Sequence, residues 1–324
     1  MSSKLTIWCN AQFPEEAARQ LIAGVGEHRL IIDENPTANI SAGGLSPTLA
    51  EADVAFGQPD ANQVIELPSL RWTHLTSAGY TRYDRDDLRS ALTARGALLT
   101  NSSSVFDEPC AQHLLAFMLA QARQLPQALS EQIRTQAWIY ARLRPQTRLL
   151  SNQTVLLLGF GAIARRLAEL LQPFRLNVVA VRRAPKGDES VPTHPIGELN
   201  RLLPGADHIV NTLPSSPSTD GLVDENCFAA MKPGAIFYNI GRGTTVDQAA
   251  LIRLLESGRL GAAYLDVVDP EPLPADHPLW TTPNCWITPH VGGGHAEEYP
   301  RLVAHFIRNL RLFEAGEPLI DRVI

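Results

Sequence analysis

Three polar side chains of complementary chemistry follow apolar runs in the second half of the chain. Arg242 lies in Asn239-Ile-Gly-Arg-Gly243, Glu271 in Leu265-Asp-Val-Val-Asp-Pro-Glu-Pro272, and His290 in Thr288-Pro-His-Val-Gly-Gly293. A guanidinium fork binds a carboxylate, an acid tunes a base, and an imidazole moves a proton near neutral pH. Taken singly, each has a structural role as its commoner explanation. Spacing alone does not show that they meet. A parallel sheet would bring them together, because ligands collect beyond the carboxyl ends of strands in open α/β sheets.

The element that must position them begins at Thr154-Val-Leu-Leu-Leu-Gly-Phe-Gly-Ala-Ile-Ala164. An apolar run ends in a GxGxxA turn, and a helical pattern follows with Ile163, Leu167, Leu170 and Leu171 on one face. Asn177-Val-Val-Ala-Val181 closes the unit. Strand, glycine turn, helix and strand in this length read as a dinucleotide-binding unit. Gly159 permits the turn, and Gly161 lets a pyrophosphate approach the N–H groups of the helix start. Phe160, Ala162 and Ile163 complete the cofactor-contacting turn, and Ala164 is small enough for helix and strand to pack closely. The bland alternative is an ordinary buried βαβ unit.

Arg182-Arg183 stands at the end of the second strand, where an acid would hold a ribose 2′-hydroxyl and repel a 2′-phosphate. Arginine is a permanently charged planar donor suited to phosphate. The pair therefore predicts NADP as the preferred cofactor, with NAD as the alternative. Asp188 lies further on in a polar loop and is a poor substitute for the missing acid.

The chain has 324 residues, 44% of them hydrophobic, and a net charge of −6. That length accommodates two domains. The acidic balance argues against a nucleic-acid footprint or a polybasic membrane surface. Met1-Ser-Ser-Lys-Leu-Thr-Ile-Trp8 reads as a short leader into a strand rather than a signal peptide, and no apolar segment is long enough to span a bilayer. Cys9, Cys110, Cys227 and Cys285 are scattered without CxxC spacing. They read as reduced thiols of a cytoplasmic protein, with no metal site.

Before the nucleotide unit, strands are expected at Leu5–Trp8, Arg29–Asp33, Asp53–Gly57, Leu70–Leu75 and Leu98–Asn101, with a helix over Pro14–Ala23. Pro109 is expected to open a long apolar helix through Ala122, whose face is broad enough for a domain or a second subunit to cover. Arg134–Asn152 reads as irregular linker. Later strands are expected at His208–Asn211, Ala235–Asn239, Ala262–Asp266 and Cys285–Thr288, a helix over Gln248–Ser257, and a last helix ending near Gly316. Alternating strands and helices imply parallel sheets covered on both faces.

From about Leu70 onward the chain resembles the D-isomer-specific 2-hydroxyacid dehydrogenase family. The markers are Ser77-Ala-Gly79, Thr100-Asn101, the GxGxxA turn, Leu213-Pro214 with Thr219, and Met231-Lys-Pro-Gly-Ala235. Gly241-Arg-Gly243 with Val246-Asp247, Asp266-Val with Glu271-Pro-Leu, and Asp276-His-Pro-Leu-Trp280 before Thr288–Gly293 are the most specific. The resemblance implies a fold of two doubly wound, parallel-sheet, Rossmann-like α/β domains with the active site in the cleft. A substrate-binding domain of residues 1–101 plus 295–324 would flank a dinucleotide-binding domain of 102–294. It also implies a homodimer through the helix region Pro109–Arg123.

The implied roles are these. His290 is the proton donor in reduction, and Glu271 holds its tautomer and favours the imidazolium. Arg242 clamps the substrate carboxylate and polarises the carbonyl. The N–H groups around Ser77, Ala78 and Gly79 take the other carboxylate oxygen. Asp266 and the backbone near Ile240 orient the nicotinamide carboxamide. Leu213 and Pro214 pack along the cofactor, and Thr219 and Gly292 complete the cofactor set.

The chain departs from the family's common pattern at Gln112, where glutamate is frequent, at Ser104, where glycine is usual, and at Tyr80-Thr-Arg-Tyr83 after the glycine loop. These bear on substrate identity. His113 reads as structural. Trp138 is a candidate for closing a neighbouring subunit's site, as a similar tryptophan does in some relatives, against a packing role. The activity expected is reduction of a small 2-keto acid of the glyoxylate or hydroxypyruvate class to the D-2-hydroxy acid. A 3-phosphoglycerate dehydrogenase-like enzyme is the nearer rival, and many such enzymes carry an extra C-terminal domain that this sequence lacks. A formate-oxidising relative would pair the histidine with glutamine, against Glu271. A non-catalytic nucleotide-sensing module on the same fold is the rival of another class.

Overall fold

The computed structural model describes residues 4–37 and 41–324; the first three residues of the leader reading, Met1–Ser3, lie outside them. The chain divides into two compact units, Met1–Phe106 with His295–Ile324, and Asp107–Gly294.

The first unit is built on β1 (Thr6–Ala11), α1 (Glu15–Val25), β2 (Arg29–Thr37), β3 (Val54–Gly57), α2 (Ala61–Glu66), β4 (Trp72–Leu75), α3 (Asp86–Arg95) and β5 (Leu98–Thr100). Its five strands pair in parallel in the order β2-β1-β3-β4-β5. β3 and β4 are buried at every position, as strands covered on both faces must be. The run Val-Ala-Phe-Gly therefore has no polar alternation to show in the sequence.

α4 (Ser103–Ala122) begins in this unit, and its residues from Asp107 belong to the second. It starts six residues before the expected Pro109, which sits inside the helix. The reason lies in its start. Asn101 Oδ1 accepts from Ser103 N at 3.2 Å, and Asp321 Oδ2 accepts from Ser104 N at 2.8 Å and Ser104 Oγ at 2.7 Å. Side-chain acceptors thus satisfy the orphan N–H groups of the first turn.

α5 (Leu125–Arg134) and the short α6 (Tyr140–Leu143) follow. The expectation of irregular linker from Arg134 is thus corrected in part. Glu131 draws Arg134 (2.5 Å), Arg142 (2.8 Å) and Thr135 (2.8 Å) around one carboxylate. Two of the arginines in the stretch that reads as irregular linker, Arg134 and Arg142, thus share one acidic partner.

The second unit carries β6 (Thr154–Leu158), α7 (Ala162–Leu171), β7 (Asn177–Arg182), β8 (Thr193–Pro195), α8 (Leu199–Leu202), β9 (His208–Asn211), α9 (Glu225–Ala230), β10 (Ile236–Asn239), α10 (Gln248–Glu256), β11 (Ala262–Leu265) and β12 (Cys285–Ile287). Its sheet order is β12-β11-β10-β9-β6-β7-β8, parallel throughout. The chain runs outward from β6 to β8 and returns to β9 on the other side. The strand order therefore switches between β6 and β9, where α/β sheets open a crevice for ligands.

The last helix, α11 (Glu298–Ala315), returns to the first unit. Val303, Phe306 and Leu310 join the core made by Ile7, Leu21, Phe56 and Trp72. Phe306 stacks on Phe56 at 4.1 Å between ring centroids.

Candidate active site

Because the second sheet is parallel, the loops after β6, β7, β9, β10, β11 and β12 all leave one edge. Gly159 takes φ 89°, a left-handed conformation that costs other residues dearly, and its N–H bonds Val181 O at 2.9 Å. The glycine turn is thereby tied to the end of β7. α7 starts at Ala162 with no side-chain cap. Among the described residues, no group accepts from the N–H of Gly161, Ala162 or Ile163. A Cβ on Gly161 would meet nothing within 4 Å. These residues fit the pyrophosphate of a dinucleotide, because open backbone and free donors stand at the positive end of a helix. Arg182 closes β7 and Arg183 follows it, beside this turn. Arg183 is exposed, whereas Arg182 Nη1 pairs with Glu189 Oε1 at 2.9 Å. The sequence reading had missed Glu189.

Leu213 is buried beyond β9, and Leu213 N bonds Asn211 Oδ1 at 3.2 Å. Thr219 Oγ1 donates to Pro214 O at 2.6 Å, so it shapes this loop. Ile240 is buried after β10, and its N–H bonds Asn211 O at 3.1 Å.

Arg242 is held by its backbone. Arg242 O accepts from Asn239 Nδ2 (3.1 Å) and Thr245 Oγ1 (2.7 Å), and both side chains reach the buried Asn211 network. The guanidinium Nη1 donates to Gly241 O at 2.6 Å. Gly243 lies against the Val268–Asp269 peptide so closely that a Cβ would come within 2.0 Å of Val268 O. Only glycine lets the loops after β10 and β11 touch there. Asn211, Asn239 and Thr245 escaped the sequence reading, because each looks like an ordinary strand-end polar residue.

β11 and β12 are neighbours, so their loops bring Asp266, Glu271 and His290 together. His290 Nδ1 lies 2.7 Å from Glu271 Oε2, and Glu271 Oε1 accepts from Val268 N at 3.1 Å. Nδ1 donates to the carboxylate, so the tautomer follows, and Nε2 has no partner among the described residues. His290 takes φ 54°, and its N–H bonds both Asp266 O and Thr288 O at 2.9 Å. About a third of each side chain in the pair remains exposed.

Asp266 is 4% exposed. Its Oδ1 accepts from Thr288 Oγ1 (2.7 Å) and Val291 N (3.0 Å), and its Oδ2 from Gly292 N (2.9 Å). Three donors from the loop that carries His290 thus converge on one carboxylate. His113, on α4, places Nε2 3.0 Å from Thr288 Oγ1. Burial pushes the His113 imidazole below its ordinary value, against the pull of Asp266.

In the first unit, the Ser77–Gly79 loop has every carbonyl engaged. Ser77 O accepts from Ser102 N at 3.1 Å, Ala78 O from Asn101 Nδ2 at 2.7 Å, and Gly79 O from Ser77 Oγ at 2.6 Å. The N–H groups of Ala78 and Gly79 have no acceptor among the described residues. Gln58, 2% exposed, donates to Thr76 Oγ1 and Ser77 Oγ from below. Gln58 and Asn101 are the positioning groups of this loop. The Thr100-Asn101 marker was legible, but its partner was not. Among the described residues there is no cluster that could hold a metal ion, and no helix is long and apolar enough to cross a membrane.

A parallel sheet with a free helix start at its switch point, and a base, an acid and a cation on neighbouring strand ends, is the architecture of nicotinamide-dependent oxidoreductases. Residues 115–292, more than half of the chain, match the family model described as "D-isomer specific 2-hydroxyacid dehydrogenase, NAD binding domain". The chain is 34% identical over 250 residues to glyoxylate/hydroxypyruvate reductase B of Escherichia fergusonii, covering 76% of this chain and 75% of that protein. It is 34% identical over 271 residues to D-3-phosphoglycerate dehydrogenase of Mycobacterium tuberculosis, covering 82% of this chain and 49% of that one. Among solved structures, a D-isomer specific 2-hydroxyacid dehydrogenase from Xanthobacter autotrophicus Py2, in complex with NADPH and MES, superposes with a TM-score of 0.81 at 28% identity, covering 100% and 98% of the two chains. The chain belongs to the D-isomer specific 2-hydroxyacid dehydrogenase family and is an oxidoreductase.

Proposed function

We propose that this enzyme reduces a small 2-keto acid of the glyoxylate or hydroxypyruvate class to the D-2-hydroxy acid, with NADPH preferred over NADH. The observation that carries the reaction is the His290–Glu271 pair, oriented with Nε2 clear. Gly159, Phe160, Gly161, Ala162 and Ile163 hold the pyrophosphate. Leu213, Pro214, Thr219, Ile240, Asp266 and Gly292 shape the nicotinamide side. Arg242 takes the substrate carboxylate and polarises the carbonyl, and the N–H groups of the Ser77–Gly79 loop take a carboxylate oxygen. A nicotinamide bound there would supply the hydride that the carbonyl carbon needs. His290 Nε2 gives its proton to the carbonyl oxygen, and Glu271 stabilises the charge that the imidazole carries beforehand. In the reverse direction Nε2 accepts the hydroxyl proton.

The cofactor preference rests on Arg182-Arg183 beside the glycine turn, and the Xanthobacter structure with NADPH supports it. The substrate class rests on the reductase named among the relatives. Steady-state kinetics with glyoxylate, hydroxypyruvate and both cofactors test the reading. The phosphoglycerate dehydrogenase among the relatives makes 3-phosphohydroxypyruvate the informative competitor. A higher kcat/KM for it than for the small keto acids would overturn the substrate class, and a higher kcat/KM with NADH would overturn the cofactor preference.

A homodimer belongs to the same reading. Leu129, Ile133, Trp138 and Leu149 are exposed, Trp138 at 92%. Trp138 therefore does not pack within its own chain. Light scattering on the purified protein should give twice the 35.4 kDa chain mass; a monomer overturns the assembly.

A further inference from the structure

The two arginines beyond β7 are not equivalent. Arg182 is pointed at Glu189, whose carboxylate gathers three donors. Oε1 accepts from Arg182 Nη1 at 2.9 Å and from Lys186 N at 2.7 Å, and Oε2 accepts from Gly187 N at 2.8 Å. The Glu189 side chain is 5% exposed and that of Arg182 22%. Arg183 is exposed and has no ion pair among the described residues. The backbone N–H groups of Lys186 and Gly187 help to hold the Glu189 carboxyl down at about 2, so it is charged at any working pH. The Val181 O to Gly159 N hydrogen bond fixes where this loop starts, directly beside the glycine turn. An internal carboxylate thus lies within the segment that the cofactor reading assigns to the 2′-phosphate.

We propose that Glu189 is a specificity-determining residue of the cofactor site. It acts as a built-in counter-charge to Arg182, leaves recognition of a 2′-phosphate to Arg183, and so moderates the preference for NADPH over NADH. The inference rests on the assignment of the Arg182-Arg183 segment to the adenosine ribose. Its physical basis is simple. A guanidinium already paired at 2.9 Å with a carboxylate has a reduced field and fewer donors to offer a second anion. The same pair closes the loop from Arg182 to Glu189. Arg182 therefore positions Arg183 rather than binding phosphate itself.

The test is binding of nucleotide fragments to the enzyme, with no turnover. Adenosine 2′,5′-bisphosphate carries the 2′-phosphate, and AMP lacks it. Calorimetry should show Arg183→Ala losing about tenfold in affinity for the bisphosphate and nothing for AMP, the size of one charge-assisted contact. Glu189→Gln keeps an acceptor for Arg182 and Lys186 N and removes the charge. It should bind the bisphosphate about fivefold more tightly, with AMP unchanged and the gain fading in high salt. The double variant Arg182→Gln/Glu189→Gln removes both charges of the pair together, and should cost the bisphosphate less than threefold.

An unchanged or weaker bisphosphate affinity in Glu189→Gln, with AMP binding intact, overturns the counter-charge role. A tenfold loss in Arg182→Gln/Glu189→Gln overturns it as well, because Arg182 would then be the direct ligand. If the wild type binds both fragments equally, the NADPH preference fails. A selective gain in Glu189→Gln would still support the counter-charge role in that case.

Discussion

His290 Nδ1 lies 2.7 Å from Glu271 Oε2, and the same carboxylate takes the Val268 N–H through its other oxygen. The acid is thus anchored to its own loop before it orients the ring. Anchoring at both oxygens fixes the imidazole plane, so Nε2 emerges in one direction. His290→Gln should lose about 100-fold or more in turnover, the usual scale of acid–base catalysis, with nucleotide affinity unchanged. Glu271→Gln preserves shape and should cost less than the histidine change. Single-turnover rates with deuterated cofactor report the chemical step, and near-normal turnover in His290→Gln would place the proton elsewhere.

Arg242 is fixed at its carbonyl by Asn239 and Thr245, so its guanidinium leaves a rigid base. Lysine would keep the charge and lose the planar fork. Arg242→Lys should retain nucleotide binding and lose about 30- to 100-fold in kcat/KM for the keto acid, the scale of one or two charged hydrogen bonds. Wild-type efficiency in this variant would remove Arg242 from carboxylate recognition.

Asn101 joins the Ser77–Gly79 loop to the start of α4 through Ala78 O and Ser103 N. Asn101→Ala removes about 1 kcal/mol of hydrogen bonding from the loop. KM for the keto acid should rise about 5- to 10-fold, with KM for the cofactor unmoved. An equal change in both constants would mean that the asparagine serves the fold as a whole.

Two buried histidines set an acid limit on stability. Burial holds His208 down at about 4 and His74 well below the ordinary range, so both are neutral in the folded protein. An unfolded imidazole takes its proton near pH 6.5. Between there and about pH 4 the unfolded chain binds more protons than the folded one. Stability is therefore complete above pH 6.5 and falls as the pH drops through this window. Urea unfolding at pH 8, 7, 6 and 5 should show the decline with an unchanged m-value. His208→Gln should flatten it in part; an unaltered slope would assign the acid loss to other groups.

Much of this enzyme was legible in one dimension. The glycine turn, the apolar runs and the order of Arg242, Glu271 and His290 are local facts. In a parallel sheet, local facts about strand ends become facts about one shared edge. The β6–β7 unit needed only its own residues to declare a nucleotide site. What the tertiary structure decided depends on side-chain partners, some of them far apart in the chain and one only seven residues away. Asp321 reaches Ser104 across 217 positions and helps to start α4 at Ser103 instead of Pro109. Asp266, read for the nicotinamide, spends both oxygens on the loop that carries His290, because strand pairing of β11 and β12 brings the two loops together. Arg182 and Arg183 are alike in sequence. They differ only because Glu189 folds back to one of them. Side-chain hydrogen bonds across long separations leave no periodic trace, so composition and pattern are silent about them until the backbone has placed both ends.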